Sequence, residues 1–108
     1  MKYTVLWTKT AQDDVRSIYD YIAARESADM AVESYNKIKK KALSLESFPM
    51  RGRELPELSC HNIMGYRELV EHLWRIVYKV LGEKVFVLSV FDGRRSFENV
   101  LMDRILHE

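Results

Sequence analysis

The sequence predicts an α+β domain, a helical hairpin packed on a small, mainly antiparallel sheet in the order β-α-α-β-β-β. Three observations carry that expectation. Apolar residues recur at helical spacing from Ala11 to Leu45. Beyond Phe48-Pro49 the pattern changes to runs of β-branched and aromatic residues. The joints between those runs are short, which forces antiparallel neighbours.

Tyr3 to Trp7, aromatic and β-branched, reads as the first strand. Thr8 and Thr10 offer helix caps, with Thr10 and Asp13 approximating a capping box. Ala11, Val15, Ile18 and Ile22 then lie on one helical face, and Asp13 and Asp14 are expected in the first turn, where the helix dipole favours negative charge. This helix gives out near Ala24-Arg25-Glu26, and Ser27 can cap a second one. Ala28, Ala31, Tyr35, Ile38, Ala42 and Leu45 form its apolar stripe, while Lys37, Lys39, Lys40 and Lys41 fall mostly off it and read as a solvated face. Phe48-Pro49 stops the helix, because proline cannot continue the hydrogen-bond ladder.

Met50 to Met64 reads as an irregular stretch. Three strands follow, Tyr66–Val70, Trp74–Leu81 and Val85–Phe91, joined around Glu71-His72-Leu73 and by a three-residue turn Gly82-Glu83-Lys84. A last helical turn is expected between Glu98 and Leu106. With helices on one face, the other face of the meander is left as a binding surface.

The 108 residues fit one domain, 1–108, and 47% hydrophobic residues supply one core. The longest mostly apolar stretch, Val85 to Phe91, is far short of a membrane span of roughly 20 residues. The N-terminus lacks an apolar signal core, so the expected compartment is the cytoplasm. Cys60 alone can form no internal disulfide, in keeping with a reducing environment. His61, His72, His107 and Cys60 match no zinc spacing, so no metal and no cofactor is expected.

With 17 basic and 16 acidic side chains, the net charge of +1 is too small for a generic nucleic-acid binder. Charge-based function must come from local distribution, and arginines gather in the β half. Alternation puts Trp74, Ile76, Tyr78 and Val80 on a core face and Arg75, Val77, Lys79 and Leu81 on the other. Arg67 shares a face with Leu69; whether Arg75 lies on the same side depends on cross-strand register. Asp92-Gly93-Arg94-Arg95 places two guanidinium groups at a strand end, where they can clamp phosphates or carboxylates. Arg53, Arg67, Arg75, Lys79, Arg94 and Arg95 are therefore the candidate active-surface residues.

Phe48-Pro49, Gly52-Arg53, Leu55-Pro56-Glu57-Leu58, Tyr66-Arg67-Glu68-Leu69-Val70, the Trp74–Val80 run and Val85 through Arg95 follow one another in a specific order. This series resembles the RelE/ParE superfamily of toxins from type II toxin–antitoxin modules, also known as plasmid stabilisation proteins. The resemblance covers nearly the whole chain, since Ala11–Ile22 is similar to the family's first helix. It implies a growth inhibitor neutralised by a cognate antitoxin, acting either by poisoning DNA gyrase (ParE-like) or by cleaving messenger RNA on the ribosome (RelE-like).

Metal-independent RNA cleavage needs a base for the 2′-hydroxyl, cations for the phosphorane and an acid for the leaving oxygen. RelE-like enzymes use several Arg and Lys residues and often a tyrosine or histidine near the C-terminus. Here Arg75, Arg94 and Arg95 could hold charge, but Ser96 to Glu108 contains no tyrosine, only Phe97 and the near-terminal His107. His61 is placed in the irregular loop and His72 at a hairpin tip. The expectation is thus a ParE-like gyrase inhibitor that is not an enzyme. The alternatives are a ribosome-dependent endoribonuclease and a relative that has lost toxicity and persists as an interaction module.

Overall fold

A computed structural model describes residues 2–93. Arg94, Arg95, Phe97, His107 and the expected helical turn between Glu98 and Leu106 lie outside the described residues.

The order is β1 (Thr4–Trp7), α1 (Lys9–Arg25), α2 (Ala28–Leu43), β2 (Arg53–Glu54), α3 (Pro56–Ser59), β3 (Tyr66–Glu71), β4 (Trp74–Leu81) and β5 (Lys84–Asp92), with a 3₁₀ turn at Ser44–Glu46 after α2. The five strands form one sheet in the order β1-β5-β4-β3-β2. β1 runs parallel to β5, and every other pairing is antiparallel.

Thr8, not Thr10, caps α1: its hydroxyl accepts from the Ala11 N–H at 3.2 Å. Because the helix starts at Lys9, Asp13 and Asp14 fall beyond the first turn, and Asp14 has a different task. β1 pairs with β5 only as far as Val87. Beyond that point the Thr8 hydroxyl donates to the Val87 and Leu88 carbonyls, and the Asp14 carboxylate accepts from Val90 N–H (2.9 Å) and Ser89 Oγ (3.0 Å). α1 thus satisfies strand-edge groups that β1 is too short to reach. Ser27 caps α2 as expected, accepting from Met30 N–H.

Ala11, Val15, Ile38, Ala42 and Leu45 from the helical side meet Leu69, Ile76, Tyr78, Val85, Val87 and Val90 from the sheet. Each fully buried Val, Leu or Ile here contributes on the order of 1.5–3 kcal/mol. Trp74 and Val80 pack against this core from the same strand face, so the expected apolar face of β4 is observed. Of the lysine run, Lys37 and Lys40 are exposed, whereas Lys39 lays its ammonium 4.2 Å from the Trp7 ring centroid.

Residues 50–64, expected to be irregular, contain β2 and α3, and this changes the second face of the sheet. Leu55 and Leu58 cover Val77 and Phe91 in a separate small core flanked by Ile63 and Tyr66. That face is partly covered, not free. Phe91 reaches it because the β4–β5 register shifts between Val77 and Tyr78. Val77 pairs with Ser89 and Tyr78 with Val87, so Leu88 has no partner and the side-chain alternation resets. The β4–β5 turn has two residues, Gly82-Glu83, and Gly82 takes a positive φ of 61°.

Candidate functional site

Directly opposed residues of antiparallel strands share a face. Arg67 opposes Tyr78, and Val70 opposes Arg75, so Arg67 and Arg75 lie on opposite faces of the sheet. The six sequence candidates therefore divide. Arg53, Arg75 and Lys79 belong to the face away from the helical hairpin; Arg67 belongs to the hairpin face, at its β2 edge; Arg94 and Arg95 lie outside the described residues.

On the face away from the hairpin, Glu68 is the centre. Its side chain is fully buried, and it bonds Arg53 Nε through Oε2 and Arg75 Nε through Oε1. The rest of the Arg75 guanidinium is taken by Glu57 of α3, Nη1 to Oε2 at 2.8 Å and Nη2 to Oε1 at 3.3 Å. Arg75 is thus a two-sided clamp between β3 and α3, its side chain only 12% exposed. Two carboxylates and two guanidinium groups alternate, which is how charge tolerates burial. Glu57 and Glu68 were not singled out in the sequence. The readable signal was Glu68 beside Arg67 on a strand, and Glu57 after Pro56 at a helix start.

The charges act on one another. Burial alone would raise the Glu57 carboxyl, but the Arg75 hydrogen bonds and charge, with a contribution from Arg53, outweigh it and hold the group below its ordinary value. Burial likewise opposes the Arg75 charge, and the bonds to Glu57 and Glu68 more than restore it. A carboxyl depressed on folding stabilises above its unfolded pKa, and that contribution is lost as pH falls through the folded value. The stability difference between wild type and Glu57→Gln should therefore be largest near neutrality. It should shrink below the ordinary carboxylate range, as read from urea midpoints at several pH values.

Lys79 lies two residues beyond Val77 on the same strand face, with its ammonium 4.8 Å from the Tyr66 ring centroid. Gly93 closes the described chain beside this network. It donates its N–H to the Leu73 carbonyl at 2.9 Å, and a Cβ on it would sit 3.1 Å from Cγ and Cδ of Arg75. The residue that leads into Arg94-Arg95 thus lies against the Arg75 stem.

On the hairpin face, Arg67 Nη1 donates to the Gly52 carbonyl at 2.7 Å and more weakly to the Met50 carbonyl at 3.4 Å. The Tyr78 hydroxyl accepts from the Gly52 N–H at 2.9 Å in a buried contact. Burial raises the Tyr78 pKa, opposed by the Gly52 hydrogen bond and the charges of Arg67 and Arg51. Arg67 and Tyr78 together pin the turn that enters β2.

His61 is exposed after α3, and His72 is exposed at the β3–β4 tip with a φ of 54°. Cys60 is exposed and ends α3. Among the described residues no group of three or more His, Cys, Asp or Glu side chains is arranged to hold a metal, and no helix is long and apolar enough to cross a membrane.

The fold recurs in solved toxins. A chain of the chromosomal ParDE toxin–antitoxin system of P. aeruginosa matches with a TM-score of 0.69 at 21% identity, over 84% of this chain and 96% of that one. A mutant of the E. coli toxin RelE in the free state matches with a TM-score of 0.66 at 18% identity, over 99% and 98% of the two chains. These likenesses establish a fold that ParE and RelE toxins share. In sequence, Toxin ParE3 of Caulobacter vibrioides is 26% identical over 92 residues, covering 85% of this chain and 88% of its own. The family described as the ParE toxin of the type II toxin–antitoxin system parDE matches residues 5–97, which include all but the first residue of β1, the elements from α1 through β5, and both Arg94 and Arg95. On that match the chain belongs to the ParE toxin family of type II toxin–antitoxin systems.

Proposed function

We propose that this toxin inhibits growth by binding DNA gyrase through protein–protein contact and is held inactive by a cognate antitoxin. The observation that carries the reading is that each described candidate arginine is engaged by an acceptor of its own chain: Arg53 by Glu68, Arg67 by the Gly52 carbonyl, Arg75 by Glu57 and Glu68. Cations so engaged are poorly placed to hold a developing phosphorane, where unsatisfied donors are needed. They are well placed to shape a surface for another protein. The membership in the ParE family supports gyrase as the target, and the likeness to a chain of a solved ParDE toxin–antitoxin system supports the antitoxin partner.

The cationic contacts proposed in this reading are the outer part of Arg53, 65% exposed, together with Lys79, Arg94 and Arg95. Arg94→Ala with Arg95→Ala is expected to abolish growth inhibition at equal expression and leave the melting temperature within a few degrees of wild type, since charges at a strand end contribute little to a core. Unchanged inhibition would remove that pair from the target surface. For the reading as a whole, purified chain added to gyrase should stop supercoiling of plasmid DNA, and added antitoxin should restore it.

A further inference from the structure

Residues 48–53, Phe-Pro-Met-Arg-Gly-Arg, combine a fixed backbone with unburied apolar side chains. Phe48 is 68% exposed and Met50 61%, the two highest values among the exposed large hydrophobic residues of the described chain. A loop that carried them by accident would be loosely held. This one is not. The Arg51 N–H closes a turn onto the Phe48 carbonyl at 3.2 Å with buried Pro49 at its second position. Arg51 Nη1 donates to Ser44 Oγ at 2.9 Å, tying the turn to the end of α2. From beneath, Tyr78 and Arg67 hold both the N–H and the carbonyl of Gly52.

We propose that this turn is a preformed hook whose Phe48 and Met50 side chains seat in an apolar, acid-rimmed pocket on the toxin's protein target. Rigid display of apolar anchors lowers the ordering cost of binding, and buried aromatic anchors dominate interface energetics. The expected rim follows from charge. The segment holds Arg51 and Arg53 and no carboxylate, so an acidic pocket edge complements it. Arg53 also opposes Glu68 in the β2–β3 pair and shares that strand face with Lys79, which makes the hook continuous with the cationic surface assigned to the target above. In this account Arg67 is a positioning residue for the hook.

The inference rests on the target-binding reading but not on gyrase being that target. Phe48→Ala with Met50→Ala, and the conservative Phe48→Leu with Met50→Leu, are expressed in cells from a repressed promoter and compared with wild type for growth arrest. Each is also purified with its antitoxin for a melting curve. The alanine pair is expected to need roughly tenfold or more induced protein for the same arrest. Its melting temperature and antitoxin co-purification should be unchanged, and the leucine pair should recover most of the arrest. Equal potency of the alanine pair overturns the hook. So does retained arrest with lost antitoxin co-purification, which would give the turn to the antitoxin instead. Wild-type arrest without any effect on supercoiling would remove gyrase as the target; loss of arrest in the alanine pair would still support the hook.

Discussion

Glu68→Ala should remove a large share of the domain's stability. The carboxylate is fully buried and is shared by Arg53 and Arg75. Its removal takes from Arg75, itself mostly buried, one of the two carboxylates that bond its guanidinium. Breaking a buried charge pair from one side costs on the order of 3–5 kcal/mol, against a total of about 5–15 kcal/mol for a domain of ordinary stability. Arg53→Ala removes the other end of the same carboxylate's contacts, but from a side chain that is 65% exposed. Its cost should stay near 1 kcal/mol or below, because water screens the pair and Arg75 still serves Glu68. Urea midpoints of the two variants measured together test the assignment. A mild effect for Glu68→Ala, equal to that of Arg53→Ala, would mean that the network is not what joins α3 to the sheet.

Gly52→Ala is the second large effect. A Cβ at this position would lie 2.5 Å from the Glu68 carbonyl oxygen and 2.5 Å from the Tyr78 hydroxyl. The first of these is backbone of β3 and cannot turn aside. Either the β2 entry lifts from the sheet or Tyr78 leaves its buried place, so the hydrogen bond to Gly52 N–H is lost in addition to the overpacking. Overpacking of this kind costs roughly 1–3 kcal/mol or more, and an abandoned buried N–H adds about 1–3 kcal/mol. The variant is expected to melt well below wild type. Any folded fraction should also inhibit growth poorly, since the Phe48–Met50 turn would be displaced. A fully stable Gly52→Ala would contradict the close packing of the turn on β3.

The helices and the meander were legible because they follow simple periods. Of the expected stripe of α2, Ala31, Ile38, Ala42 and Leu45 are buried while Ala28 and Tyr35 are exposed, and the strand face Trp74, Ile76, Tyr78, Val80 packs into the core as its spacing requires. The cap of α1 was left open between Thr8 and Thr10 because the two have equal chemistry, and only the tie of Thr8 to the β5 carbonyls separates them. α3 was missed because four residues are too few to show a helical period. Phe91 was out of reach for a related reason: strict alternation from Val85 would send it to the hairpin core, and the irregularity at Leu88 sends it to the opposite side. The candidate site was half legible. The arginines stood out as a cluster, but their division between two faces depends on a register that only the paired strands define, and their partners Glu57 and Glu68 were hidden among ordinary surface-type residues.

The engagement of Arg53, Arg67 and Arg75 by their own chain is the centre of the account, because the proposal of a protein-contact surface over an RNA-cleaving one rests on it. The most direct measurement sets one preparation of the chain, freed from its antitoxin, against two targets over the same concentration range: plasmid supercoiling by purified gyrase, and messenger RNA on programmed ribosomes read by primer extension. The account predicts that supercoiling stops while the ribosome-bound message stays intact. Codon-positioned cuts in the message, with gyrase unaffected, would contradict it.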